Sequence, residues 1–160
     1  MNIVLFEPEI PQNTGNIVRT CAATASTLHL IKPLGFSIDD KHLKRAGLDY
    51  WHLCDIKVYD NFRAFKEANK EGRLYYASTK AALRYDKIAF GPDDYIVFGP
   101  ETRGLPEEML FENYASSFRI PMIEGCRSLN LSNSVAVILF EALRQHDFAG
   151  LEETGHLTKY

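Results

Sequence analysis

The sequence predicts an α/β fold built on a mostly parallel sheet with helices on both faces. Short strand-like runs alternate with helical stretches along most of the chain. Several of those runs are apolar at successive positions, which suits strands covered on both sides. The composition, 46% apolar and 24% charged over 160 residues, is that of an ordinary globular chain with enough apolar material for a substantial core.

The elements follow in order. Asn2 to Phe6 is a compact apolar strand, Asn13 to Ser26 a helix with Asn13 or Thr14 as candidate cap, and Leu28 to Lys32 a second strand, which together make a βαβ unit. Lys41 to Ala46 reads as a short helix, Ile56 to Tyr59 as a strand, Phe62 to Lys70 as an amphipathic helix and Leu74 to Ala77 as a strand. Tyr95 to Phe98 is a fully apolar strand. Pro106 to Asn113 is a helix with proline near its first position and two glutamates in its first turn, where they oppose the positive end of the helix dipole. Phe118 to Ile120 is a last short strand and Ser132 to Gln145 the final helix. Without repeat, low-complexity tract or linker, a single domain over residues 1–150 is expected, with 151–160 a polar tail.

Several function classes recede on composition alone. No apolar stretch approaches the roughly 18 to 20 residues of a membrane span, and no basic region precedes the first apolar run, so a cytoplasmic protein with no membrane association is expected. Cys21, Cys54 and Cys126 are odd in number and form no CxxC pair, and the five histidines show no ligand spacing, so neither disulfides nor a metal is expected. A net charge of −3 and a pI near 5.9 argue against non-specific coating of nucleic acid. A local basic face remains: Lys41, His42, Lys44 and Arg45, followed by Tyr50, Trp51 and His52, bring cations and stacking aromatics together, although such a run is also what a solvated helix face looks like.

Three segments carry candidate chemistry. Phe98 to Pro106, FGPETRGLP, follows a strand at the point where open α/β sheets bind ligands; Gly99 and Gly104 would let backbone approach a small molecule, or would simply make a tight strand-to-helix connection. It contains neither GxGxxG nor a Walker sequence. Pro11 to Thr20, PQNTGNIVRT, sets Asn13, Asn16 and Arg19 at i, i+3 and i+6 along one side of a helix start, where they could hold phosphate or ribose, or merely cap the helix and meet solvent. Ile120 to Gln145, IPMIEGCRSLNLSNSVAVILFEALRQ, crowds Ser128, Asn130, Ser132, Asn133 and Ser134 at the start of a helix, more small polar residues than capping needs. Beyond them Val135, Ile138, Leu139 and Ala142 form one apolar stripe, while Val137, Phe140 and Leu143 cover much of the remainder. One stripe can face the chain's own sheet; the other calls for a homodimer built on this helix.

In this order and with this wording, the three segments resemble the motifs of the SPOUT RNA methyltransferases, in the branch that methylates ribose 2′ oxygens. The resemblance spans essentially the whole chain. Lacking any added RNA-binding domain, the chain is similar to the minimal enzymes of that branch, which act on the wobble pyrimidine of leucine tRNAs.

The resemblance implies what patterning would have argued against, a deep C-terminal trefoil knot. It implies S-adenosylmethionine as methyl donor, S-adenosylhomocysteine as product and tRNA as partner. Carried over by motif, the donor site would comprise Ala77, Ser78, Thr79, Gly99, Glu101, Gly104, Ile120, Met122, Ser128 and Leu129, with Asn13, Asn16, Arg19, Lys41, Lys44 and Arg45 toward RNA. Arg19 stands where the family has its key catalytic residue and would reach the reacting ribose across the dimer seam Ser132 to Gln145. A guanidinium almost never gives up its proton, so the expected role is to position the substrate phosphate and stabilise the developing oxyanion. Two other readings compete: an α/β nucleotide-binding enzyme of another class using the loop after Phe98, and an RNA-binding module without turnover.

Overall fold

The computed structural model describes residues 1–38 and 50–159. The expected helix Lys41 to Ala46, and with it Lys41, Lys44 and Arg45, lies outside the described residues. The strands are β1 (Asn2–Phe6), β2 (Thr27–Ile31), β3 (Ile56–Tyr59), β4 (Leu74–Ala77), β5 (Leu83–Arg84), β6 (Tyr95–Phe98) and β7 (Ser117–Arg119). The helices are α1 (Pro11–Ala23), α2 (Phe62–Ala68), α3 (Glu107–Glu112) and α4 (Leu131–Arg144). Among the described residues the seven strands are all parallel, in the order β3-β2-β1-β6-β4-β7-β5.

The central strands are apolar at nearly every position because both faces are covered. On β1, Ile3 and Leu5 point into one core and Val4 and Phe6 into the other. The first core takes Ile17, Val18 and Cys21 of α1 and Val135, Ile138, Leu139 and Ala142 of α4, so these two helices pack on one face and against each other. The second takes Phe65 of α2 and Leu105 and Leu110 around α3 on the opposite face. No described helix is long and apolar enough to cross a membrane, and no cluster of three or more His, Cys, Asp or Glu among the described residues could hold a metal ion.

Most expected elements recur within a residue or two at their ends, where hydrogen bonding frays. Three differences are informative. Helix α1 begins at Pro11 rather than Asn13, its N-cap Ile10 makes no side-chain cap, and Asn13 and Thr14 are buried inside it. Strand β5 is only two residues, both exposed, and pairs with β7 at the sheet edge, so no apolar run announces it. On α4, Val137 and Phe140 are exposed at 39% and 47%, as the second stripe requires, but Leu143 folds partly into the first core and leaves that stripe.

One buried polar residue couples this core to pH. His29 on β2 has no solvent exposure; its Nδ1 lies 3.1 Å from the Tyr59 hydroxyl, its Nε2 3.3 Å from Asn2 Oδ1, and Phe65 and Tyr95 pack edge-on against its ring. Burial, assisted by the Lys57 ammonium, lowers its pKa from 6.5 to about 4. Between those values the unfolded chain binds the proton that the folded one refuses, so this contribution is complete above pH 6.5 and is lost as pH falls toward 4. Its size is about 3 kcal/mol. Denaturant unfolding of wild type and His29→Phe from pH 7 to 4 should show a steeper stability loss in wild type by that order; parallel curves would contradict it.

Candidate active site

The segments that leave the carboxyl ends of β4, β6 and β7 converge with the first turn of α1 around a cavity of about 460 Å³. That is the end of an open parallel sheet where ligands bind, and the volume suits a nucleoside-sized molecule. The donor residues expected from sequence, dispersed over more than fifty positions, all line this one cavity. Ala77, Ser78 and Thr79 come from the end of β4, Gly99, Glu101 and Gly104 from the loop after β6, and Ile120, Met122, Ser128 and Leu129 from the loop after β7. Phe98, Leu105, Phe118 and Leu131 add apolar wall.

Each loop has a local reason for its path. After β6 the chain folds back so closely that a Cβ on Gly99 would lie 2.3 Å from Leu105 N and 2.4 Å from Gly104 C. Gly104 closes the turn at φ +69, and its amide donates to Pro100 O at 2.9 Å. After β4, Ser78 N donates to Phe118 O at 2.9 Å, which ties the first loop to β7. The loop after β7 ends at Asn130, whose Oδ1 accepts from Ser132 N at 2.9 Å, Asn133 N at 3.3 Å and the Ser132 hydroxyl at 2.7 Å. Capping therefore absorbs Asn130 and Ser132, and the Ser134 hydroxyl turns back to Asn130 O at 3.1 Å. Ser128 is left for the cavity wall, and Asn133 is exposed.

A chain of hydrogen bonds locks the loops together. Asn130 Nδ2 donates to Asn13 Oδ1 at 3.0 Å, and Asn13 Nδ2 donates to Glu101 Oε1 at 3.0 Å. The Glu101 carboxylate also accepts from Glu9 N at 2.9 Å and Ile10 N at 3.2 Å. Glu101 thus supplies, from the loop after β6, the anionic cap that α1 lacks in its own sequence. Thr102 answers in the other direction: its amide and hydroxyl donate to Glu9 Oε2 at 3.2 and 2.7 Å. Asn13 is consequently turned inward with both ends of its amide engaged, whereas Asn16 and Arg19, with which it was expected to share a face, are exposed.

Arg19 lies outside the cavity of its own chain. Its guanidinium sits 4.7 Å from the centre of the Tyr50 ring, with Nη2 3.4 Å from the Tyr50 hydroxyl. Among the described residues no histidine or cysteine lines the cavity. What it offers is a shaped, partly apolar recess edged with backbone groups, suited to binding and aligning a reactant.

Comparison with known proteins agrees with this geometry. The model of the SpoU rRNA methylase family matches residues 1–140. The chain belongs to the SpoU methylase family. A tRNA (cytidine(34)-2′-O)-methyltransferase of Methylovorus glucosotrophus is 55% identical over 150 residues, 93% of this chain and 97% of that one. The enzyme of the same name from Escherichia coli K12 is 48% identical over 151 residues, 94% and 96% of the two chains. A solved structure reported for the 2-OH methylation of C/U34 on tRNA superposes with a TM-score of 0.87 at 46% identity, covering 91% of this chain and 95% of that one.

Sequence reasoning within this SpoU chain missed the cations of the cavity wall. Lys80, Arg103 and Arg127 all line it. Arg103 and Arg127 sit inside the quoted motifs, and their adjacency to glycine and serine turns was the available signal. It also missed Glu7, a non-glycine residue at φ 49 just past β1 that pairs with Arg103. The Glu107 carboxyl, held below its ordinary range by the ammonium of Lys80, marks another ion pair at the cavity edge.

The two loop glycines should respond differently to alanine. Gly99→Ala forces backbone apart and should cost more than about 3 kcal/mol or abolish folding. At Gly104 nothing lies within 4 Å of a built Cβ, so only the positive φ is penalised, at about 1 to 2 kcal/mol. Thermal or urea unfolding of both variants checks the order; equal losses would contradict the close approach at Gly99.

Proposed function

We propose that this chain transfers a methyl group from S-adenosylmethionine to the ribose 2′ hydroxyl of the wobble pyrimidine, nucleotide 34, of tRNA, with leucine tRNAs as substrates, in the cytoplasm. The observation that carries the reading is the gathering of every expected donor residue around one cavity. Relatives named for this reaction, matched over nearly their whole length, support it.

The residues present fit the donor. Phe98, Leu105 and Ile120 provide apolar surface for an adenine, and the backbone of the loops after β4, β6 and β7 provides the hydrogen-bonding edges that adenine and ribose need. Bound there, S-adenosylmethionine would supply a sulfonium methyl for in-line displacement by the ribose oxygen, leaving S-adenosylhomocysteine, with the hydroxyl proton passing to solvent. Glu101 acts behind this surface: with three donors on its carboxylate, it holds the α1 end against the loop after β6. Strand β7 lies between the consecutive strands β4 and β5, an order that a trefoil threading of the chain after Arg119 through the span joining them would require, and this supports the knotted reading.

Arg19 holds the substrate phosphate and the developing oxyanion of the partner subunit's reaction. Two observations support that arrangement: Arg19 is exposed outside its own cavity, and α4 presents Val137 and Phe140 to solvent. A two-fold dimer through Ser132 to Gln145 would cover that apolar face and bring the first motif of one chain to the cavity of the other. The pairing with Tyr50 holds the Arg19 guanidinium close to the protein before substrate arrives.

Incubation with tRNA and isotopically labelled methyl donor, followed by nucleoside mass spectrometry, should find a 2′-O-methylated pyrimidine at position 34. Arg19→Ala should lower the single-turnover rate by at least about 10²-fold while donor affinity stays within about threefold. Absence of label in every tRNA tested would overturn the function, and a wild-type rate in the variant would overturn the role of Arg19.

A further inference from the structure

Among the described residues the cavity wall carries three cations and one acidic residue, Glu101. Two of the cations are already matched. Lys80 pairs with Glu107, and Arg103 pairs with Glu7 and, at 4.0 Å, with Glu9. The Glu101 carboxylate is occupied by Glu9 N, Ile10 N and Asn13 Nδ2. Arg127 differs: its side chain makes no ion pair or hydrogen bond among the described residues, and it stands exposed on the loop after β7.

That loop nevertheless fixes where Arg127 stands. On one side is a turn in which Cys126 N donates to Ile123 O at 3.3 Å and Gly125 takes φ +88. On the other, three residues on, is Asn130, anchored to both α4 and Asn13. The main chain at Arg127 is therefore held at the cavity while its guanidinium remains free to meet a ligand from solvent.

We propose that Arg127 binds the RNA phosphate next to the ribose being methylated, and so positions the 2′ hydroxyl at the cavity mouth. This rests on the RNA-methylation reading above. The methyl donor has a carboxylate, but it also carries an ammonium and a sulfonium, so an unmatched cation gains little from it overall. A polynucleotide brings net negative charge, and phosphate suits the guanidinium fork, which can donate two parallel hydrogen bonds. An exposed side chain at the rim meets the substrate that enters last and from outside. Arg127 is a substrate-positioning residue distinct from Arg19, since it belongs to the same chain as the cavity it serves.

The test measures tRNA affinity between 50 and 200 mM salt, and donor affinity by calorimetry, for wild type, Arg127→Gln and Arg127→Lys. Loss of one phosphate contact should reduce the magnitude of the log K against log salt slope by about 0.7 to 0.9 in Arg127→Gln. Affinity for tRNA should fall about tenfold and donor affinity should stay within twofold. Arg127→Lys, which keeps the charge but not the fork, should restore the slope and only part of the methylation rate. An unchanged slope, with or without weaker tRNA binding, overturns the proposal, as does a loss confined to the donor. Wild-type protein that fails to methylate any tRNA overturns the underlying function instead, so the two failures are distinguishable.

Discussion

The carboxylate of Glu101 is the joint on which the rest of the site depends. It accepts hydrogen bonds from the backbone amides of Glu9 and Ile10, just before α1, and from Asn13 on α1, and through Asn13 it reaches Asn130 at the start of α4. Those partners lie 92, 91 and 88 residues away along the sequence, so a single side chain closes one long loop with three bonds to the same short segment. Charge-assisted bonds of this kind contribute about 1.5 to 3 kcal/mol each when well formed. The positive end of α1 strengthens the joint, because an anion at a helix N-terminus opposes the exposed amide charge.

Around that joint the sheet decides what the loops can do. Strands β4, β6 and β7 run parallel and end at one edge, so their following segments must share the same space. The Gly99 turn and the Asn130 cap then set how much of that space remains open. Helix α4 has two duties: its Val135, Ile138, Leu139 and Ala142 stripe completes one core, while its first turn ends the loop that walls the cavity. A packing change in the α4 stripe should therefore be felt at the site, since the helix start and the wall are the same residues.

The strands of the sheet centre were legible because burial on both faces leaves an uninterrupted apolar run, as in NIVLF and YIVF. Strand β5 was not, because two exposed residues have no periodicity to detect. The α1 start was misplaced for a related reason: Asn13 and Thr14 have the chemistry of caps, yet the capping carboxylate comes from residue 101, and only tertiary structure brings it there. The motif resemblance located the cavity wall well, because those residues sit at fixed offsets from strand ends. It could not distinguish Asn13, which faces inward and links loops, from Asn16, which faces out, because a spacing of three residues places both on the same broad side of a helix. Nor could it separate matched cations from the unmatched Arg127, since that depends on partners supplied by distant loops.

The most direct measurement of the central claim is amide hydrogen exchange at Glu9 and Ile10 in wild type and Glu101→Gln, without donor or RNA. Both amides donate to the Glu101 carboxylate, and the substitution replaces one accepting oxygen with a donor. Exchange at Glu9 and Ile10 should accelerate at least tenfold, while Val4 and Leu5 within β1 keep their protection. Unchanged protection at Glu9 and Ile10 would mean that the loops are held by something other than this carboxylate, and would contradict the account.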